Sequence, residues 1–304
     1  MGDRLLAGIE AGGTKFVCGV ARGPMDILKT QTITTRSPSE TLAEVTAFFQ
    51  AAEADLGRIG AVGVASFGPL DLDPTSANHG AIGTTPKAEW SGFNLKQALA
   101  RSLPRPTVID TDVTGAGLAE WTYGAGRDLD ALAYLTVGTG IGGALIVGGR
   151  PLHGHNRPGL GHPEMGHIAV RRRADDLGFA GVCPFHGDCI EGLASGPAVL
   201  ARYGKPLSEA PADSPVWAIL ADYLAQLCLS IMLIATPQRI VIGGGLMSNA
   251  ALYPLIRQEI LRQNNGYFDG LSRAEDVDRL LVAPQLGGQA GLVGALLLAR
   301  SALD

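Results

Sequence analysis

At 304 residues the chain is long enough for two domains of ordinary size. Hydrophobic residues make up 46% and charged residues 17%, which excludes a disordered chain, and the 42 glycines show no collagen-like period. The net charge of −5 leaves no basic excess to neutralise a nucleic-acid backbone.

Residues 5–20, LLAGIEAGGTKFVCGV, read as two strands (5–9 and 16–20) joined by a turn of Glu10, Gly12, Gly13, Thr14 and Lys15. Small residues there let backbone N–H groups approach an anion closely. The spacing is neither that of a Walker A loop nor a GxGxxG opening a helix, so by itself the segment also fits an ordinary hairpin with a glycine turn. A helix is predicted over 39–50 with Ser39 as N-cap, and a buried strand over 59–66 that ends at SFGPLD. A turn-rich loop covers 74–91, a second helix covers 94–102, and Pro104 and Pro106 stop it.

Residues 107–110 form a short strand, and Asp112 opens the helix that follows. A carboxylate there is commonly only a helix cap. The functional alternative is a general base held at a strand end, facing a cleft. Residues 133–147, AYLTVGTGIGGALIV, repeat the strand–glycine–strand pattern of residues 5–20, now around Gly138, Thr139 and Gly140. Two such hairpins, each heading half of a chain, point to a duplicated α/β fold with two phosphate-facing loops. Further on come a long apolar helix over 216–236, a strand over 239–242 opening a third glycine loop at Gly243, Gly244 and Gly245, a helix over 250–262, an edge strand over 280–283 and a last helix over 289–303.

The segment 162–195 carries the densest chemistry. Cys183, His186 and Cys189 fall in a C-x-x-H-x-x-C knuckle that Gly187 lets turn tightly, and His167 lies sixteen residues upstream. Two thiolates and two imidazoles make a closed tetrahedral set suited to structural Zn²⁺, with no open position for water. Such an ion would hold the loop that carries Glu164 and Glu191. The run 171–173 of arginines, balanced by Asp175 and Asp176, reads as a solvated loop. Cys18 and Cys228 sit in apolar runs and read as small core residues, as expected in a reducing compartment. The first residues lack the apolar run of a signal peptide, and the run around 227–235 is too short to span a membrane. The expectation is a cytoplasmic protein with no membrane or nucleic-acid partner.

Taken together, GIEAGGTKF (8–16), SFGPLD (66–71), TTPKAEW (84–90), DTDVTGAGLAE (110–120), TVGTGIGGALIVGGR (136–150), HPEMGHI (162–168), CPFHGDCIEGLASGPA (183–198) and IGGGLM (242–247) resemble the ROK sugar kinases, most closely their fructokinase branch. The resemblance covers essentially the whole chain. It implies a duplicated ribonuclease H-like fold of the actin/hexokinase type, with ATP and sugar meeting in an interdomain cleft. The implied division is 1–112 plus 290–304 against 113–289. Asp112 would be the catalytic base. Gly12, Gly13, Thr14 and Lys15 would face the phosphates, Gly138, Thr139 and Gly140 would form a second phosphate loop, and Gly243 to Gly245 would lie near the adenosine. Asp112, Glu164, His167 and Glu191 would hold the sugar. His167 would also be the fourth zinc ligand, one ring nitrogen taking the metal and the other a sugar hydroxyl.

The implied reaction is transfer of phosphate from ATP, with Mg²⁺, to the 6-hydroxyl of D-fructose, and the implied assembly is a homodimer. Glu10 stands where many members have Asp, Thr114 where Asn is usual, Pro163 where Gly is usual, His186 where others have Cys, and Lys87 where many glucose-preferring members have Asn. These departures favour fructose. A glucokinase, a mannokinase or a broad hexokinase is the alternative within the family. A sugar-sensing transcription regulator is disfavoured, because the first glycine hairpin begins within ten residues and no basic helix precedes it.

Overall fold

The computed structural model describes residues 4–153 and 161–303. In chain order the first elements are β1 (Leu5–Ala11), β2 (Lys15–Gly23), β3 (Asp26–Thr34), α1 (Pro38–Leu56), β4 (Ile59–Ser66), α2 (Leu95–Ser102), β5 (Thr107–Thr111) and α3 (Asp112–Tyr123). There follow β6 (Ala131–Val137), β7 (Ile141–Val147), β8 (Arg150–Pro151), α4 (Ile190–Ala194), α5 (Gly196–Tyr203), α6 (Pro215–Ala235), β9 (Arg239–Gly243), α7 (Leu252–Asn264), α8 (Ala274–Leu280), β10 (Leu281–Val282) and α9 (Ala290–Ser301). The chain divides into two compact units. Unit 1 comprises Met1–Thr122, Arg150–Pro163 and Gly288–Asp304, and unit 2 comprises Tyr123–Gly149 and Glu164–Gly287.

Unit 1 is built on a five-stranded sheet in the order β3-β2-β1-β4-β5. β1 runs antiparallel to β2 and parallel to β4, which is parallel to β5. β4 is buried along its whole length, as a parallel strand covered on both faces must be. On one face α9 packs Leu292, Leu296 and Ala299 against Leu6, Ala21 and Ala61. The contact is so close that a Cβ at Gly63 would fall on the Ala295 carbonyl. The other face carries Ile9, Phe16, Phe49, Val64, Trp90 and Leu99.

Two local expectations need correcting. α1 starts at Pro38, and its cap is Ser37, which exchanges bonds with Glu40 in a capping box; proline at the first helical position and a serine before it make the stronger signal. β3 was not foreseen, because it is an edge strand with a mostly exposed side-chain set and so lacks an alternating pattern.

In unit 2, β10-β9-β6-β7 lie side by side, with β6 antiparallel to β7 and parallel to β9, and β9 parallel to β10. That repeats the arrangement β5-β4-β1-β2 of unit 1, so the echo between the two glycine hairpins is a duplicated fold. α6 begins at Pro215 and has 21 residues with a mean hydropathy of 1.9, long and apolar enough by length and composition to cross a membrane. It lies where a long apolar helix was expected over 216–236, but its apolar length exceeds the run near 227–235 read as too short to span a membrane; that apolarity serves the core, where Leu220, Tyr223, Leu224, Leu227 and Cys228 are wholly buried. Cys18 is equally buried in unit 1, and burial raises both thiols to about 12, so both are inert core residues as expected.

The arginine run is likewise not a solvated loop. Arg172 donates to the carbonyls of Asp176 and Phe179 and pairs with Asp188, while Arg173 pairs with Asp175 and reaches Asp222. Asp176 is buried and held by Arg202 and the Tyr223 hydroxyl. Charged side chains here lock the metal-ligand segment onto α6, and burial without those partners would be costly.

Candidate active site and metal centre

The turn between β1 and β2 places Gly12, Gly13, Thr14 and Lys15 at the carboxyl end of β1. It is held from behind: the Gly12 N–H donates to the Lys15 carbonyl at 2.9 Å, the Thr35 hydroxyl to the Gly12 carbonyl at 2.8 Å, and the Thr35 N–H to the Thr14 carbonyl at 3.0 Å. Among the described residues no hydrogen bond uses the N–H of Gly13 or Thr14. Two backbone donors are thereby presented on a fixed turn, which suits an anion.

Asp112 follows β5, two strands along in the same sheet. The sequence left open whether it is only a cap. The structure gives the capping role to Thr111, whose hydroxyl accepts the Thr114 N–H at 3.1 Å and meets the Thr114 hydroxyl at 2.7 Å. Asp112 is the first helical residue, and its carboxylate accepts its neighbour Val113 N–H at 2.9 Å. Thr114, noted as a departure, is therefore half of a buried cap. Glu10 lies in register with Ala65, which lies in register with Asp110, across β1, β4 and β5. Burial first and the Asp112 charge second raise the Glu10 carboxyl from 4.5 to about 7, with Lys15 opposing.

A feature that sequence reasoning missed lies beside this set. His153 Nε2 stands 2.8 Å from Asp110 Oδ2, and that bond is the main cause of a raised His153 pKa. His162 Nε2 accepts the Leu70 N–H at 3.2 Å, and burial lowers its pKa. His153 lies outside the motifs and 43 residues from Asp110, so nothing local in the chain signals this pairing.

In unit 2 the glycine loop of Gly138, Thr139 and Gly140 joins β6 to β7. Its neighbour is the Gly243–Gly245 turn after β9. Gly244 has φ +96°, and a Cβ there would strike the backbone of Val137, so only glycine fits. The Gly138 carbonyl accepts the Gly196 N–H at 2.8 Å, which ties the start of α5 to the same loop. Glu191, in the first turn of α4, accepts the Ile141 N–H at 3.0 Å, and a methyl group at Gly140 would sit 2.7 Å from its Oε2. Gly140 is small because a carboxylate stands against it. Glu164 is raised above the usual carboxylate range by burial, with Glu191 adding to the rise and His167 opposing it. Glu164, His167 and Glu191 thus form one electrostatic group in unit 2, while the Gly12–Lys15 turn and Asp112 belong to unit 1.

The knuckle is a tight turn closed by bonds between Cys183 and Gly187 in both directions, at 3.1 and 2.9 Å, with Gly187 at φ +66°. One ligand atom each from His167, Cys183, His186 and Cys189 lies within 4.8 Å of the others. His167 Nδ1 is 3.7 Å from Cys183 Sγ and 3.5 Å from Cys189 Sγ, and His186 Nδ1 is 3.8 Å from Cys183 Sγ. A tetrahedral ion with bonds of about 2.3 Å to sulfur and about 2.0 Å to nitrogen would set such pairs roughly 3.5 Å apart, so the donor set fits zinc in both chemistry and spacing. Nδ1 of His167 is the nitrogen that faces the two sulfurs, so an ion held there would leave Nε2 for another partner.

Comparison with known proteins identifies the family. The model of the ROK family matches residues 6–302. The chain is 40% identical to a fructokinase of Zymomonas mobilis over 304 residues, covering 99% of this chain and 98% of that one. It is 37% identical to a fructokinase of Pediococcus pentosaceus over 299 residues, covering 98% and 99%. Among solved structures it resembles a ROK family glucokinase from Streptomyces griseus in complex with glucose and AMPPNP, with 25% identity, a TM-score of 0.72, and 98% and 99% of the two chains covered. With a family model matched from Leu6 through the last helix, the chain belongs to the ROK family.

Proposed function

We propose that the protein transfers the terminal phosphoryl group of ATP to the 6-hydroxyl of D-fructose. It is an ATP-dependent sugar kinase, and the observation that carries the sugar is the 40% identity to a fructokinase along nearly its whole length. The physical roles follow from the residues. Phosphoryl transfer asks a protein mainly for positioning and charge stabilisation. The N–H groups of Gly13 and Thr14 would receive the phosphates of MgATP, with Lys15 beside them. The loops of Gly138, Thr139, Gly140 and Gly243 to Gly245 would take the rest of the nucleotide. Glu164, Glu191 and Nε2 of His167 would hold sugar hydroxyls, and Asp112 would accept the proton of the 6-hydroxyl, assistance typically worth about 10²–10⁴-fold.

Zinc on His167, Cys183, His186 and Cys189 would be structural, fixing the segment between Glu164 and Glu191. The four unpaired cysteines suit a reducing cytoplasm. A homodimer belongs to the same reading, and sedimentation of the purified chain checks it.

The test of the sugar is an ADP-release assay with MgATP and D-fructose, D-glucose or D-mannose at equal concentration. We expect kcat/KM to be highest for fructose. A preference for glucose or mannose would keep the kinase and overturn the sugar, since pocket contacts alone decide between them.

A further inference from the structure

Lys87 stands where many glucose-preferring members have Asn, and the structure places it beside the first glycine turn. Gly13 has no side chain, and a methyl group built there would sit 3.6 Å from Lys87 Cε. The end of the lysine stem therefore lies beside the turn whose Gly13 and Thr14 N–H groups make no hydrogen bond among the described residues.

The other four lysines have counterparts. Lys29 pairs with Asp55 and Lys205 with Glu209, Lys96 contacts His79, and Lys15 acts on the Glu10 carboxyl. Lys87 is half-buried, and among the described residues its ammonium makes no ion pair or hydrogen bond. A half-buried lysine without an anion, its stem beside two backbone donors that no group in the described residues uses, makes an anion site.

The position is fixed by the fold. The Lys87 carbonyl accepts the Trp90 N–H at 2.9 Å, so the two residues share one tight turn. Trp90 is 1% exposed, and its ring lies 5.4 Å from that of Phe16, the residue after Lys15. Phe67 and Phe93 close the cluster, and the Trp90 indole N–H donates to the Arg36 carbonyl at 2.9 Å. The glycine turn and the lysine loop are thus anchored on the same aromatic cluster. The motif TTPKAEW supplies the cation and its anchor three residues apart.

We propose that Lys87 acts on the phosphate rather than on the sugar, its ammonium joining the N–H groups of Gly13 and Thr14 around the phosphoryl group in transfer. This rests on the kinase reading above. In that step the bond from the terminal phosphorus to the β–γ bridging oxygen breaks, and its electron pair leaves on ADP. The sugar O6 forms the new bond to phosphorus, and its proton goes to Asp112. Lys87 forms no covalent bond; it balances negative charge on the non-bridging oxygens, where a fixed cation is worth most as charge is redistributed.

The experiment compares the full-length protein with Lys87→Met and Lys87→Arg. It measures kcat with MgATP and D-fructose, the calorimetric Kd of fructose without nucleotide, the fructose-to-glucose ratio of kcat/KM, and the melting temperature. We expect Lys87→Met to lower kcat by about 10²–10³-fold, the scale seen when one fixed electrostatic donor is removed. Fructose Kd and the sugar ratio should stay within about twofold, which is below ~0.5 kcal/mol. Lys87→Arg should recover part of the rate, and both variants should melt like the parent, since no side-chain bond is lost. A near-normal kcat in Lys87→Met with weakened fructose binding or a shifted ratio would return Lys87 to the sugar. Near-normal values throughout would remove it from the site. An unmutated protein inactive with every hexose would instead strike the kinase reading itself.

Discussion

Two carboxylates at the end of one sheet carry different burdens. Asp112 is relieved of helix capping by Thr111, so its replacement by Asn should leave the fold intact. We expect Asp112→Asn to lower kcat by at least about 10²-fold with fructose binding kept, measured by turnover and by calorimetry. A near-normal rate would remove Asp112 as the base.

Glu10 is half-buried, and desolvation sets its carboxyl at about 7 against an ordinary 4.5. A group with a raised folded value binds its proton more tightly in the folded state. Its contribution to stability is therefore full below 4.5 and is lost as pH rises through about 7. Glu10→Gln mimics the protonated form and should flatten that decline, by on the order of 3 kcal/mol between about pH 4.5 and about pH 8. Denaturant melts of both proteins at the two pH values check it, and equal slopes would show that Glu10 titrates as an ordinary carboxylate. The raised His153 pushes stability in the same direction but is common to both proteins, so it cancels in the comparison.

At the scale of elements, the knuckle and α4 work as one piece. Cys189 precedes α4, the Ile190 N–H bonds back to the Ile168 carbonyl at 3.0 Å, and Glu191 reaches the Ile141 N–H. Metal held by His167, Cys183, His186 and Cys189 would therefore set both ends of the segment that carries Glu164 and Glu191. Cys183→Ser should lose the metal, lower the melting temperature and raise KM for the sugar more than KM for ATP. Elemental analysis, melting curves and the two KM values test this together. A variant that keeps its stability and sugar KM, from a parent with no bound zinc, would discard the metal centre. The arginine segment belongs to the same piece: Arg172, Arg202, Asp176 and Tyr223 hold the loop to α6, a use of charge that composition alone read as solvation.

At the scale of the molecule, two units with the same strand arrangement have separate cores. Unit 1 depends on α9, which comes from the far end of the chain and lies against β1 and β4. Gly63→Ala would place a methyl group on the Ala295 carbonyl, a backbone atom that has no rotamer to escape through. Overpacking of this kind costs about 1–3 kcal/mol. We expect hydrogen exchange to speed up in β1, β4 and α9 while β6, β9 and α6 keep their protection. Uniform loss across both units would mean that they unfold as one.

The sequence by itself determined the family, the duplicated glycine hairpins, most of the buried strands and helices, and the His/Cys group that could hold a metal. These rest on short-range patterns: periodicity, glycine turns, and ligand spacings within a few residues. It also singled out Asp112, but could not tell which residue caps the helix, because that turned on whether the hydroxyl of Thr111 or the carboxylate one residue later met the Thr114 N–H. β3 escaped because an exposed edge strand buries too little to impose alternation. Only the tertiary structure brought His153 to Asp110 across 43 residues, set Glu10 and Asp110 in one row through β4, and laid Lys87 beside Gly13. Those contacts depend on strand order and on the packing of Trp90 against Phe16, which arise from many weak apolar contacts acting at once and leave no local signature in the chain.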